Sequence, residues 1–122
     1  MKLRFDHQSI RLRVRKSDIE KLSLDGFIQE TVQFPQGLLV YRLEMNQDKH
    51  AVEALILSDT IVVSIPSEQA VDWIQSESVG IYATLATSAV GVEMKVLIEK
   101  DFPCRHNSSE DNADTFEELS NS

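Results

Sequence analysis

Three arginines, Arg11, Arg13 and Arg15, recur at alternate positions of the segment Ser9-Ile10-Arg11-Leu12-Arg13-Val14-Arg15. Alternate side chains of an extended strand share a face, so three guanidinium groups would line one side, about 6.5–7 Å apart, and three aliphatics the other. Guanidinium forks hold carboxylates and phosphates through paired, charge-assisted hydrogen bonds. Three readings share this pattern: a solvated outer face whose charge discourages edge pairing, a dock for an acidic segment of the same chain, and a site for an anionic ligand.

Two further groups could carry chemistry. Glu30 shares its strand face with Ile28, Val32 and Phe34, which places a carboxylate where a core is expected. A buried charge needs a partner, and around the turn at Pro35-Gln36-Gly37 the nearest candidate is Arg42, giving a buried ion pair. Cys104, His106, Glu110, Asp111 and Asp114 bring thiol, imidazole and carboxylates into one stretch. Such donors suit a transition metal, although their spacing matches no established site. No glycine-rich phosphate loop, G-x-S-x-G elbow or H-E-x-x-H is present, so no catalytic residue is assigned and no cofactor is expected.

Composition narrows the class. The chain has 122 residues, 42% of them hydrophobic, which suits one domain with an ordinary core. A formal net charge of -8 disfavours sequence-independent binding to nucleic acid or anionic lipid. The charge is unevenly spread: seven of the 12 Lys and Arg lie in the first 21 residues, whereas from Asp101 onward there are six acids and one Arg. No apolar run approaches the ~20 residues that span a membrane. The N-terminal segment lacks the apolar core of a secretion signal, and a single cysteine allows no internal disulfide. The expectation is a cytoplasmic protein with no membrane partner.

The elements that must position these residues follow from periodicity. Leu3 and Phe5, then Ile10, Leu12 and Val14, alternate with charged residues and predict a hairpin turning at Asp6-His7-Gln8. Ser17-Asp18-Ile19-Glu20 has the spacing of a capping box, and Asp25-Gly26 should stop the short helix it opens. Phe27 to Phe34 and Leu38 to Met45 predict a hairpin around Pro35-Gln36-Gly37. Ala51 to Leu57 and Thr60 to Ile65 predict two more strands. Pro66-Ser67 opens a second helix with Ala70, Trp73 and Ile74 on its apolar face. Val79 to Leu85 and Val92 to Ile98 complete the set. From Pro103 to Ser122 the composition turns polar and acidic, so the expected layout is a domain over residues 1–102 and a tail over 103–122.

The order contains an internal echo at a spacing of about 51 residues. Ile10, Leu12 and Val14 fall on Ile61, Val63 and Ile65; Ile19 and Leu22 fall on Ala70 and Trp73; Ile28, Val32 and Phe34 fall on Val79, Ala83 and Leu85. The predicted class is α+β: a mainly antiparallel sheet with two short helices, arranged as two packed β-α-β-β repeats or as a partly closed barrel.

Lys2-Leu3-Arg4-Phe5 with Ser9-Ile10-Arg11-Leu12-Arg13, then Ile98-Glu99-Lys100-Asp101-Phe102 with Cys104, and finally Glu110-Asp111 with Asp114 and Phe116, together resemble a family of short uncharacterised bacterial proteins classed as a domain of unknown function. The resemblance spans essentially the whole chain, and departs from the family's pattern at Glu117-Glu118. It implies a single domain and attaches no activity to it. The resulting expectation is a non-catalytic binding or assembly module whose partner is another protein or a second copy of the chain. The alternative is a small enzyme or metal protein acting on a phosphorylated or anionic ligand through the Arg-lined surface.

Overall fold

Apolar alternation resolves into eight strands and two helices in a computed structural model that describes residues 1–101. The first half contains β1 (Lys2–Asp6), β2 (Ser9–Val14), α1 (Lys16–Asp25), β3 (Phe27–Phe34) and β4 (Gly37–Asn46). The second contains β5 (Glu53–Leu57), β6 (Thr60–Pro66), α2 (Ser67–Gln75), β7 (Gly80–Ala86) and β8 (Glu93–Lys100).

The strands form two four-stranded sheets, ordered β1-β2-β8-β7 and β3-β4-β6-β5. All four hairpins, β1/β2, β3/β4, β5/β6 and β7/β8, are antiparallel. The central pairings, β2 with β8 and β4 with β6, are parallel. Each sheet is therefore mixed, and each joins a hairpin from one half to a hairpin from the other. Both sheets keep two edge strands, so no barrel closes.

The order establishes a pseudo-twofold relation. Replacing each strand of the first half by its counterpart in the second turns one sheet order into the other. The two central registers agree: Ser9 pairs with Lys95, and Thr60, its counterpart 51 positions on, pairs with Val40. Among the described residues His7 and Ser58, also 51 positions apart, are the two non-glycine residues with positive φ, at 54° and 47°. Each is the first residue of the two-residue turn of its hairpin, where a positive φ lets the turn match the twist of the flanking strands. Beyond the helices the spacing lengthens. Ile28 pairs with Leu43 and Ile81 with Ile98, so the counterpart of Ile28 is Ile81 rather than Val79. The linker after α2, Ser76-Glu77-Ser78-Val79, is longer than the single Gly26 after α1.

The core lies between the sheets. Ile10, Leu12 and Ile98 from one sheet and Leu43, Val63 and Ile65 from the other are each at most 1% exposed. The helices connect the layers, α1 from β2 to β3 and α2 from β6 to β7, and send Leu22, Ala70 and Trp73 into the same cluster. Helix α1 begins two residues before the expected box. Its N-cap is Arg15, which has no side-chain acceptor, and the Asp18 carboxylate reaches back to accept the Arg15 N–H at 2.9 Å. Gly26, at φ 82°, ends the helix by donating to Leu22 O at 2.9 Å.

Candidate functional site

The outer face of the first sheet is built by three cross-strand rows. Lys2, Arg13, Glu99 and Gly80 form one; Arg4, Arg11, Leu97 and Tyr82 the next; Asp6, Ser9, Lys95 and Thr84 the third. Arg11 and Arg13 thus share their face with Lys2 and Arg4 of β1 and Lys95 of β8. Arg15 lies past the end of β2, in extended backbone at the helix cap.

Part of this charge is already balanced. Arg11 Nε is buried and lies 3.0 Å from Glu99 Oε1, a charge contact whose angle falls short of a hydrogen bond. Glu99 Oε2 accepts the Tyr82 hydroxyl at 2.9 Å. That hydrogen bond, with burial and the carboxylate's charge behind it, raises the Tyr82 phenol above its ordinary value against the pull of Arg11. Gly80 makes room for the chain: a Cβ there would meet Ile98 O at 2.7 Å and the Tyr82 hydroxyl at 2.9 Å. Lys2 Nζ stands 3.4 Å from the Asp101 carboxylate. Among the described residues, Arg4, Arg13, Arg15 and Lys95 have no carboxylate within ion-pair distance.

The expected Glu30–Arg42 pair does not form. The β3/β4 hairpin closes on Phe34 and Gly37, which sets Glu30 opposite Tyr41 and Gln29 opposite Arg42. A one-residue difference in register puts the two charges on opposite faces of the sheet. On the outer face Arg42 Nε bonds Glu44 Oε1 at 3.0 Å, and its guanidinium lies 3.9 Å from the centre of the Phe27 ring. On the inner side Glu30 Oε1 lies 3.4 Å from the Met1 α-amine. The same amine is 2.9 Å from Asp18 Oδ2, and the Tyr41 hydroxyl donates to Met1 O at 3.2 Å. Burial raises the Asp18 carboxyl, but the Arg15 N–H, the amine and Lys21 outweigh it, and the net shift is downward. Burial, then the charges of Glu30 and Asp18, raise the Tyr41 phenol.

The outer face of the second sheet is different in kind. Its rows place Arg42, Val62 and Leu55 side by side, then Val40, Thr60 and Leu57. Leu38, Leu55 and Leu57 are 49–53% exposed there. At the edge, Ile56 is 76% exposed and Phe5 56%; both line an apolar cleft of about 190 Å³ with Ile10, Ala54, Ile61 and Met94. Phe5 with Ile56 and Ile10 with Ile61 are counterparts, so the cleft straddles the pseudo-twofold. Sequence reasoning missed this face. Its signal was present in Leu38-Leu39-Val40, Leu55-Ile56-Leu57 and Ile61-Val62-Val63, runs that fail to alternate as a one-sided strand should.

A larger, polar cleft of about 610 Å³ lies between α2 and the loop carrying Lys49 and His50, with Glu68 and Asp72 on its helix side. Among the described residues no three His, Cys, Asp or Glu side chains cluster closely enough to hold a metal. Cys104, His106, Glu110, Asp111 and Asp114 lie outside the described residues, as does the 103–122 tail. No described helix is long and apolar enough to cross a membrane.

No curated protein and no solved structure matches the chain. A family model does match, over residues 1–120, and its description is a family of unknown function, DUF7009. The chain belongs to that family.

Proposed function

We propose that this chain is a non-catalytic assembly module that pairs with a second copy of itself through the β5 edge and the exposed patch of Leu38, Leu55 and Leu57 on the outer face of the second sheet. The observation that carries the reading is the divergence of two equivalent faces. Arg4 and Asp6 on β1 correspond to Leu55 and Leu57 on β5, and Arg11 and Arg13 on β2 correspond to Val62 and Ser64 on β6. Three of these four positions are charged on the first sheet and apolar on the second; the fourth sets Arg13 against Ser64. Solvated sheet faces and free edges ordinarily carry charge that prevents association. β1 carries Lys2, Arg4 and Asp6 along its length, whereas β5 has only Glu53 at its start, paired with Lys49, and none over Ala54-Leu55-Ile56-Leu57.

A second copy supplies the matching chemistry. Two β5 edges in antiparallel contact about a twofold axis would satisfy each other's free backbone groups and make the two apolar faces continuous. An anionic ligand on the first sheet, the basis of an enzymatic reading, would compete with Glu99 for Arg11.

The test is the mass of the protein in solution across the micromolar range, by light scattering behind size exclusion. A dimer is expected, and Leu55→Lys with Leu57→Lys should return a monomer with its thermal transition retained. A wild-type chain that stays monomeric throughout, or a double variant that stays dimeric, overturns the assignment.

A further inference from the structure

We propose that the basic outer face of the first sheet is the docking site of the chain's own acidic segment, Glu110 to Glu118. This inference is independent of the assembly face, which lies on the other sheet. The occupant is indicated first by charge. The face presents Arg4, Arg13 and Lys95 with no carboxylate at ion-pair distance among the described residues, on a chain whose net charge is -8. Residues 110–118 carry five carboxylates and no Lys or Arg.

Chain path is the second indication. The last described residue, Asp101, donates its N–H to Val14 O at 2.8 Å and places its carboxylate 3.4 Å from Lys2 Nζ. Asp101, from which the chain leads on to the acidic segment, therefore lies at the end of β2 and β8, beside the row of Lys2, Arg13 and Glu99. An extended chain advances about 3.3 Å per residue, so nine residues from Asp101 to Glu110 exceed the distance across three rows of a strand. The family match runs to residue 120, so this segment is part of what the family model describes.

Tethering makes weak contacts sufficient. A short linker gives an effective concentration on the order of millimolar, while charge contacts at an exposed face weaken with salt. Phe116 offers an apolar contact for the row in which Tyr82 is exposed and Leu97 half-buried.

The test places a nitroxide at residue 113 of the otherwise full chain, as Ala113→Cys with Cys104→Ser, and reads the broadening of backbone amide signals. Broadening at Arg4, Arg11, Arg13 and Lys95 is expected at low salt, with loss near molar salt and with Arg4→Glu plus Arg13→Glu. Broadening centred on Leu38, Leu55 and Leu57 would assign the segment to the apolar face and overturn the proposal. So would uniform absence of broadening, or broadening that persists in the charge-reversed variant. Mixing isotope-labelled, spin-free chain with unlabelled, spin-labelled chain separates the sources: broadening in that mixture comes from a second copy and overturns docking within one chain.

Discussion

The Asp18 carboxylate stands 2.9 Å from the Met1 α-amine and accepts the Arg15 N–H at the same distance, so one buried side chain fastens both the start of β1 and the start of α1. Its pKa is lowered in the fold. A carboxyl with a depressed folded pKa contributes stability above its unfolded value of 3.8, and that contribution is lost as pH falls through the folded value. Asp18→Asn should cost about 1–3 kcal/mol at neutral pH, the range for stranding buried polar partners. It should also flatten the acid limb of a stability-against-pH curve from chemical denaturation. A variant whose acid limb matches wild type would show that other carboxylates control it.

Trp73 is 3% exposed and donates Nε1–H to Val79 O at 3.2 Å, while Lys100 Nζ donates to Trp73 O at 3.0 Å. Trp73→Ala should cost about 3–5 kcal/mol, as for other large buried aromatics. Trp73→Phe, which keeps most of the apolar volume, should cost markedly less. Urea denaturation followed by circular dichroism reads both; equal losses would mean that the hydrogen bond rather than the packing dominates.

His7 and Ser58 hold left-handed backbone without being glycine. That conformation costs roughly 1–2 kcal/mol for an L residue with a side chain. Ser58→Gly and His7→Gly should each raise the melting temperature, and the two gains should add because the turns lie in different sheets. A fall in melting temperature for either would show that the side chain makes contacts worth more than the strain.

The chain has two tyrosines, so a phenolate absorbance titration in a Tyr41→Phe background follows Tyr82 alone. Ionisation should occur above 10.0 in the otherwise wild-type protein. Glu99→Gln should move it back down, because removing the acceptor carboxylate removes the leading cause of the shift. An unmoved titration would mean that the hydroxyl is solvated rather than bound.

Much of the framework could be read from the residues. Period-two alternation located β1 and β2, turn residues and apolar runs marked the other strands, and the apolar spacing of Ala70 and Trp73 located α2. The echo at about 51 residues anticipated the pseudo-twofold, although a longer linker after α2 moved its later half. What periodicity cannot carry is partnership between distant strands. That β2 lies beside β8 depends on how the halves interlock, and nothing within either segment encodes it. For the same reason Lys95 could not be placed beside Arg11 and Arg13. Glu30 and Arg42 were misjoined because hairpin register turns on a single residue, and Glu30 instead faces an amine at the far end of the first half.

The parallel junctions also set a timetable. Both sheets have their centres where the two halves meet, so neither sheet can be completed from one hairpin pair, and the first cannot be completed until β8 has been synthesised. During synthesis at ~5–20 residues per second, β1, β2 and α1 must wait several seconds for their partner with an apolar face uncovered. Long-range pairings of this kind slow folding because loop closure precedes the contacts that reward it. The nascent first half is therefore a species with its own opportunity for chaperone binding, and for pairing with the first half of a neighbouring chain on the same messenger.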